Sequence, residues 1–163
     1  MEIVDATAEH LDGLAALNAE VQAIHVGFDP SRYLQPDLAR LRAWFEELLG
    51  KAGSFVLVAV EGDRALGYAY FVIRDTPPNP FVFPQRSIYL DQLSVRDGHR
   101  GQGVGRALVD AVFARARALG ASRVRLDTAH ANHRAQTFFS GLGFRQGHLH
   151  WDAPVPAAGE DDL

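Results

Sequence analysis

The chain of 163 residues contains no cysteine, one methionine and one lysine, Lys51. Without cysteine there can be no disulfide, no thiolate metal site and no cysteine nucleophile. Nearly all the positive charge is therefore arginine, and there is no excess of it. The formal net charge is −4, which leaves a nucleic-acid partner without an electrostatic footprint. No apolar run approaches the length of a membrane span, so no membrane partner is expected. The opening Met1-Glu2-Ile3-Val4-Asp5 lacks the charged and apolar regions of a signal peptide, and the expected location is the cytoplasm. A G-x-S-x-G elbow is also missing, which removes support for a serine hydrolase. What is present is ordinary for a globular protein, with 47% hydrophobic and 22% charged residues. The length suits one domain, expected over 1–152, with a loose tail over 153–163 where acids, alanines and prolines show no periodicity.

Periodicity orders the elements. Residues 2–5 read as a first strand. Leu11, Leu14, Leu17, Val21 and Ile24 recur at helical spacing behind a Thr7 N-cap. A turn-rich connection over 27–36 leads to a second amphipathic helix marked by Leu38, Leu41, Phe45 and Leu48. Strands follow over 55–60 and 65–73, joined by the turn Glu61-Gly62-Asp63. The segment 75–80 is too rich in proline for regular structure. After it, Phe81, Val82 and Phe83 either pin that loop down or form a lid. A fourth strand over 88–95, a helix over 104–119, a strand over 123–128, a helix over 131–141 and a last strand or hairpin over 144–151 complete the chain. Hairpin strands first and a β-α-β unit later predict an α/β chain with a mixed sheet.

One stretch stands out: Arg100-Gly101-Gln102-Gly103-Val104-Gly105-Arg106, between the fourth strand and the third helix. Its glycines let a backbone approach a ligand closely. A helix start offers unpaired N–H groups and the positive end of the helix dipole, which together bind phosphate. Spacing excludes two familiar owners of such a loop. In a dinucleotide fingerprint counted from Gly101 the last glycine position holds Arg106, and counted from Gly103 it holds Leu108. The P-loop's lysine is absent from the segment. The pattern R-x-x-G-x-G resembles the coenzyme A pyrophosphate loop of the GNAT-type N-acetyltransferases. Downstream, Asn132, Ala135, Phe138, Gly143 and Phe144 match in register the other signature of that family, N-x-x-A-x-x-F-Y-x-x-x-G-F.

The resemblance implies the GNAT fold, a central mixed and splayed sheet of six to seven strands flanked by about four helices. It implies acetyl-CoA as co-substrate, no metal, and a primary amine as acceptor. The acceptor is either a small molecule or a protein N-terminus or lysine; the 77–84 loop on the acceptor side favours a small molecule. Dimerisation is common in the family. Arg100 to Arg106 would hold the pyrophosphate, Leu93, Ser94 and Val95 would lie along the pantetheine, and Asn132, Ala135, Phe138 and Phe139 would bond it or line its channel. A backbone N–H near Leu93 would polarise the thioester carbonyl. The acceptor wall would include His25, Phe28 and Tyr89.

The chemistry needs an amine stripped of its proton, donors for a developing oxyanion and an exit for a thiolate. Asp91 on the fourth strand is the candidate base, with substrate contact or a structural bond as alternatives. Phe139 stands where the family carries a tyrosine acid, and phenylalanine has no proton to give. Water, Ser94, Tyr89 or Ser140 could supply one, or the thiolate could leave unassisted, since thiols are only weakly basic at a pKa of about 8.5. A third reading is an acyl-CoA sensor with weak or lost catalysis. The pairs His130 with His133 and His148 with His150 each lack a third ligand, so no metal site is expected.

Overall fold

The computed structural model describes residues 1–148 together with Trp151, Ala153 and Val155. The rest of the expected tail, and His150 of the second histidine pair, lie outside the described residues. The chain divides into two compact units, Met1–Ala131 and Asn132–Leu163.

The first unit is a five-stranded sheet with strands in sequence order. They are β1 (Glu2–Asp5), β2 (Ser54–Glu61), β3 (Arg64–Thr76), β4 (Gln85–Val95) and β5 (Arg123–Arg125). The first four pair antiparallel, and β5 joins β4 in parallel. Between β1 and β2 lie a 3₁₀ turn at Ala8–His10 and helices α1 (Leu11–Phe28) and α2 (Leu38–Leu49), while α3 (Val104–Ala118) separates β4 from β5. The expected strand count of six to seven is therefore five among the described residues. Phe144 to His148 forms no ladder; with one apolar residue in five and a glycine it has little to pack on a sheet face. Asp75 and Thr76 belong to β3, so the irregular loop is shorter than the prolines suggested.

Alternation along the strands sorts the core into two faces. Val56 and Val58 of β2 and Tyr68 and Tyr70 of β3 pack with Leu11, Leu14, Leu17, Phe45 and Leu48 of α1 and α2. The opposite parity, Leu57, Ala59, Ala69 and Phe71, is buried on the other face, where Leu108, Val109 and Val112 of α3 are also buried. Asp37 starts α2 by accepting the Arg40 N–H at 3.0 Å, and the Phe45 ring meets Tyr68 edge-on at 5.3 Å.

In the second unit α4 (His133–Gly141) begins at Asn132, whose Oδ1 accepts from Ala135 N at 3.1 Å. It ends in a Schellman motif. Gly143 takes φ 88, its N–H reaches Ser140 O at 3.0 Å, and Phe144 N–H reaches Phe139 O at 3.1 Å. The hydrophobic contact of that motif is Phe139 on Phe144, with ring centroids 5.4 Å apart.

Gly67 is fixed by close packing rather than by φ. A Cβ there would lie 2.5 Å from Ser94 O and 3.2–3.3 Å from Leu108 and Val104. Gly67→Ala should therefore push β4 or the start of α3 outward and cost about 1–3 kcal/mol. Urea unfolding checks this; an unchanged midpoint would contradict it.

Candidate functional site

Strand β4 carries the site, and two of its features were not visible in the sequence. The first is a bulge. Tyr70 faces Gln92 and Phe71 faces Leu90, so Asp91 is an extra residue opposite that step. The bulge shifts the strand's phase. Tyr89 pairs with Val72, and beyond the bulge Gln92 and Ser94 pair with Tyr70 and Tyr68. Tyr89, Gln92 and Ser94 therefore share the face covered by α1 and α2, while Leu93 and Val95 face α3. Ser94, a candidate proton donor, is buried and donates to Leu17 O of α1 at 3.2 Å.

The second feature is an open edge. β5 pairs only with Ser87 to Tyr89 of β4, so among the described residues Leu90 to Val95 have no strand partner on that side. Arg96 N–H donates to Leu66 O of β3 at 2.8 Å. By antiparallel alternation the backbone groups of Val95 and Leu93 point to the opposite, unpaired edge. Arg100 Nε reaches Val95 O there at 3.1 Å.

The glycine-rich segment follows directly. Gly101 and Gly103 take φ 77 and 88, and a Cβ on either would meet nothing within 4 Å. Gln102 Nε2 braces the turn on Gly98 O at 2.9 Å. The first helical bond of α3 is Ala107 N–H to Gly103 O at 2.9 Å, so the N–H groups of Val104, Gly105 and Arg106 precede the ladder. No acidic residue occupies the first turn. The Arg100 guanidinium is spent on its own loop, on Val95 O and, at 3.5 Å, Asp97. His99 Nδ1 is buried with no hydrogen-bond partner among the described residues.

Across the bulge lies a polar network that sequence reasoning missed. Buried Asn18 of α1 donates to Tyr68 Oη at 2.8 Å and Gln92 Oε1 at 2.9 Å, and Tyr68 donates to the same Gln92 oxygen at 2.8 Å. Burial pushes the Tyr68 phenol well above its usual range. The available signal was Asn18 itself, four residues after Leu14 on the apolar stripe of α1. Asn18 and Gln92 line a cavity of about 270 Å³ whose walls include Gln22, Leu34, Asp37 and Trp44.

The remaining expected site residues are not gathered at that cavity. His25 stacks near Tyr33 and Phe28, centroids 5.1 and 6.5 Å away, and burial lowers its pKa, favouring the neutral imidazole. Tyr89 donates to Asp127 Oδ2 at 2.7 Å; desolvation first, then the bond to Asp127, push its pKa up to about 12. The apolar triplet does not pin its loop, since Phe81 and Phe83 are 91% and 90% exposed. On α4, Asn132 caps the helix and the Phe138 and Phe139 rings meet edge-on at 5.1 Å. Among the described residues no group of three or more His, Asp or Glu could hold a metal, and no helix is long and apolar enough to cross a membrane.

The model of the acetyltransferase (GNAT) family matches residues 18–144, and the chain belongs to that family. Among curated proteins it is 33% identical to rat N-acetyltransferase 8F1 over 114 residues, which is 69% of this chain and 48% of that protein. Human N-acetyltransferase 8B is 34% identical over 60% of this chain and 41% of its own length. The chain thus spans about half the length of these relatives. Among solved structures, a tetramutant of the BH1408 protein from Bacillus halodurans superposes with TM-score 0.86 at 26% identity, over 95% of this chain and all of that one. An aminoglycoside N-acetyltransferase in complex with CoA shares the fold at TM-score 0.71 and 20% identity, over 96% of this chain and 100% of its own.

Desolvation holds the Asp91 carboxyl above the ordinary carboxylate range, with Arg74 acting in the opposite direction. The folded chain then binds this proton more tightly than the unfolded chain, so stability is lost as pH rises through the carboxylate range. Asp91→Asn should raise the urea midpoint near pH 7 and give no gain near pH 3, below the unfolded pKa of about 3.9. An equal gain at both pH values would contradict this origin.

Proposed function

We propose that the protein is an N-acetyltransferase that moves the acetyl group of acetyl-CoA to a primary amine of a small molecule. The observation that carries this reading is the adjacency, on one strand, of a bulged carboxylate, an unpaired backbone edge and a helix start with unladdered N–H groups. The fit to the coenzyme is physical. Its pyrophosphate suits the N–H groups of Val104 to Arg106 and the open sides of Gly101 and Gly103. The peptide-like pantetheine suits the exposed edge at Leu93 and Val95, as an added strand does.

When bound, acetyl-CoA supplies an activated acyl group as a thioester. Asp91 faces the acceptor side and removes a proton from the ammonium, directly or through water. Its raised pKa makes it a stronger base than an exposed aspartate. The Leu93 N–H is aimed at the open edge, where it stabilises charge developing on the carbonyl oxygen. No tyrosine stands at Phe139, and that ring is used in the C-cap contact with Phe144. The thiolate therefore departs without a proton from position 139, which its modest basicity permits.

Release of free thiol from acetyl-CoA across an amine panel tests the reading. Asp91→Asn should lower kcat/KM by about 10²–10⁴. Gly103→Val, at a φ that a β-branched residue rarely adopts, should weaken coenzyme affinity at least about tenfold. Tight coenzyme binding with no thiol release from any amine would instead favour the sensor reading that Phe139 motivates.

A further inference from the structure

Resting on that reading, we propose that the acceptor amine also carries a carboxylate, which Arg74 of β3 receives while Asp91 receives the ammonium. Arg74 pairs with Ser87 and Val72 with Tyr89, so Arg74 and Tyr89 stand on the same face of the sheet, and the charge of the bulged Asp91 acts on Tyr89 and Tyr68 of that face. The Arg74 Cζ lies 3.6 Å from the centre of the Tyr89 ring. That ring is itself fixed, because its hydroxyl is bonded to Asp127 at 2.7 Å. A flexible exposed side chain is thereby held over a rigid plate, which removes much of the entropy that binding would otherwise cost.

Beyond the Tyr89 ring the guanidinium has no internal partner among the described residues. Among the described residues its five N–H donors find no acceptor and no ion pair. Nearby arginines behave differently. Arg86, also on this hairpin, is tied to both oxygens of Asp75 at 2.8 and 2.9 Å. Arg96 is bonded to Ala65 O at 2.9 Å, and Arg115 to Asp5 at 2.8 Å. Arg74 and Asp91 carry opposite charges on one face, and among the described residues no ion pair joins them. A zwitterionic amine pairs both charges, and the planar guanidinium fork matches a carboxylate through two parallel bonds.

The test is thiol release from acetyl-CoA with matched acceptors: an amino acid, its carboxamide and the corresponding amine without the carboxyl group. The wild-type chain should prefer the amino acid by about 10- to 100-fold in kcat/KM, the worth of a charge-assisted pair. Arg74→Gln should collapse that ratio to near one, mainly through KM, and Arg74→Lys should restore part of it. Arg86→Gln, whose partner is Asp75, should keep the full preference. Thiol release without a carboxylate preference, or a preference that survives Arg74→Gln, overturns this inference alone. No thiol release from any acceptor overturns the acetyl-transfer reading and this inference with it.

Discussion

The bulge in β4 places one residue more on that strand than β3 can pair, and the placement of every group beyond it follows. Asp91 is the extra residue, opposite the step from Tyr70 to Phe71. Because side chains alternate with period two, one added residue exchanges the two faces for the remainder of the strand. Gln92 and Ser94 turn to α1, where Tyr68, Asn18 and Leu17 O receive them. A buried polar network of this kind is stable only when its members are paired, and here the three side chains satisfy one another. The network thus holds the bulge in register, and the bulge holds Asp91 outside the ladder.

The same strand loses its parallel neighbour after Tyr89. An unpaired edge beside a buried core is ordinarily a liability. In this chain the edge ends within a few residues at the glycine-rich start of α3, so the exposed donors of the strand and those of the helix form one continuous polar track. Arg100 stabilises the junction by bonding Val95 O and approaching Asp97. Close packing at Gly67, against Ser94 O, Val104 and Leu108, sets how near the helix start comes to the strand.

Much of this was legible in the residues. The two signatures named the family, and helical periodicity located all four helices within a few residues. Glycines 101 and 103, read in the sequence as allowing close approach of a ligand, take φ 77 and 88 in the structure. What was not legible was long-range. A bulge leaves no mark in a strand's own apolar alternation, because it is defined by the partner strand. Asn18 and Gln92 are 74 positions apart and are united only by the fold. Phe144 reads in the sequence as the start of a last strand, whereas it closes the C-cap of α4 on Phe139. That contact also gives Phe139 a structural role that its departure from the family pattern did not suggest.

That acetyl-CoA lies along the open edge of β4 with its phosphates on the start of α3 is tested most directly by hydrogen–deuterium exchange with and without the coenzyme. The account predicts slowed exchange at the amides of Leu93, Val95 and Val104 to Arg106, with little change around Asp75 to Arg86. Unchanged exchange along β4 and α3, or protection confined to the β3–β4 hairpin end, would contradict it.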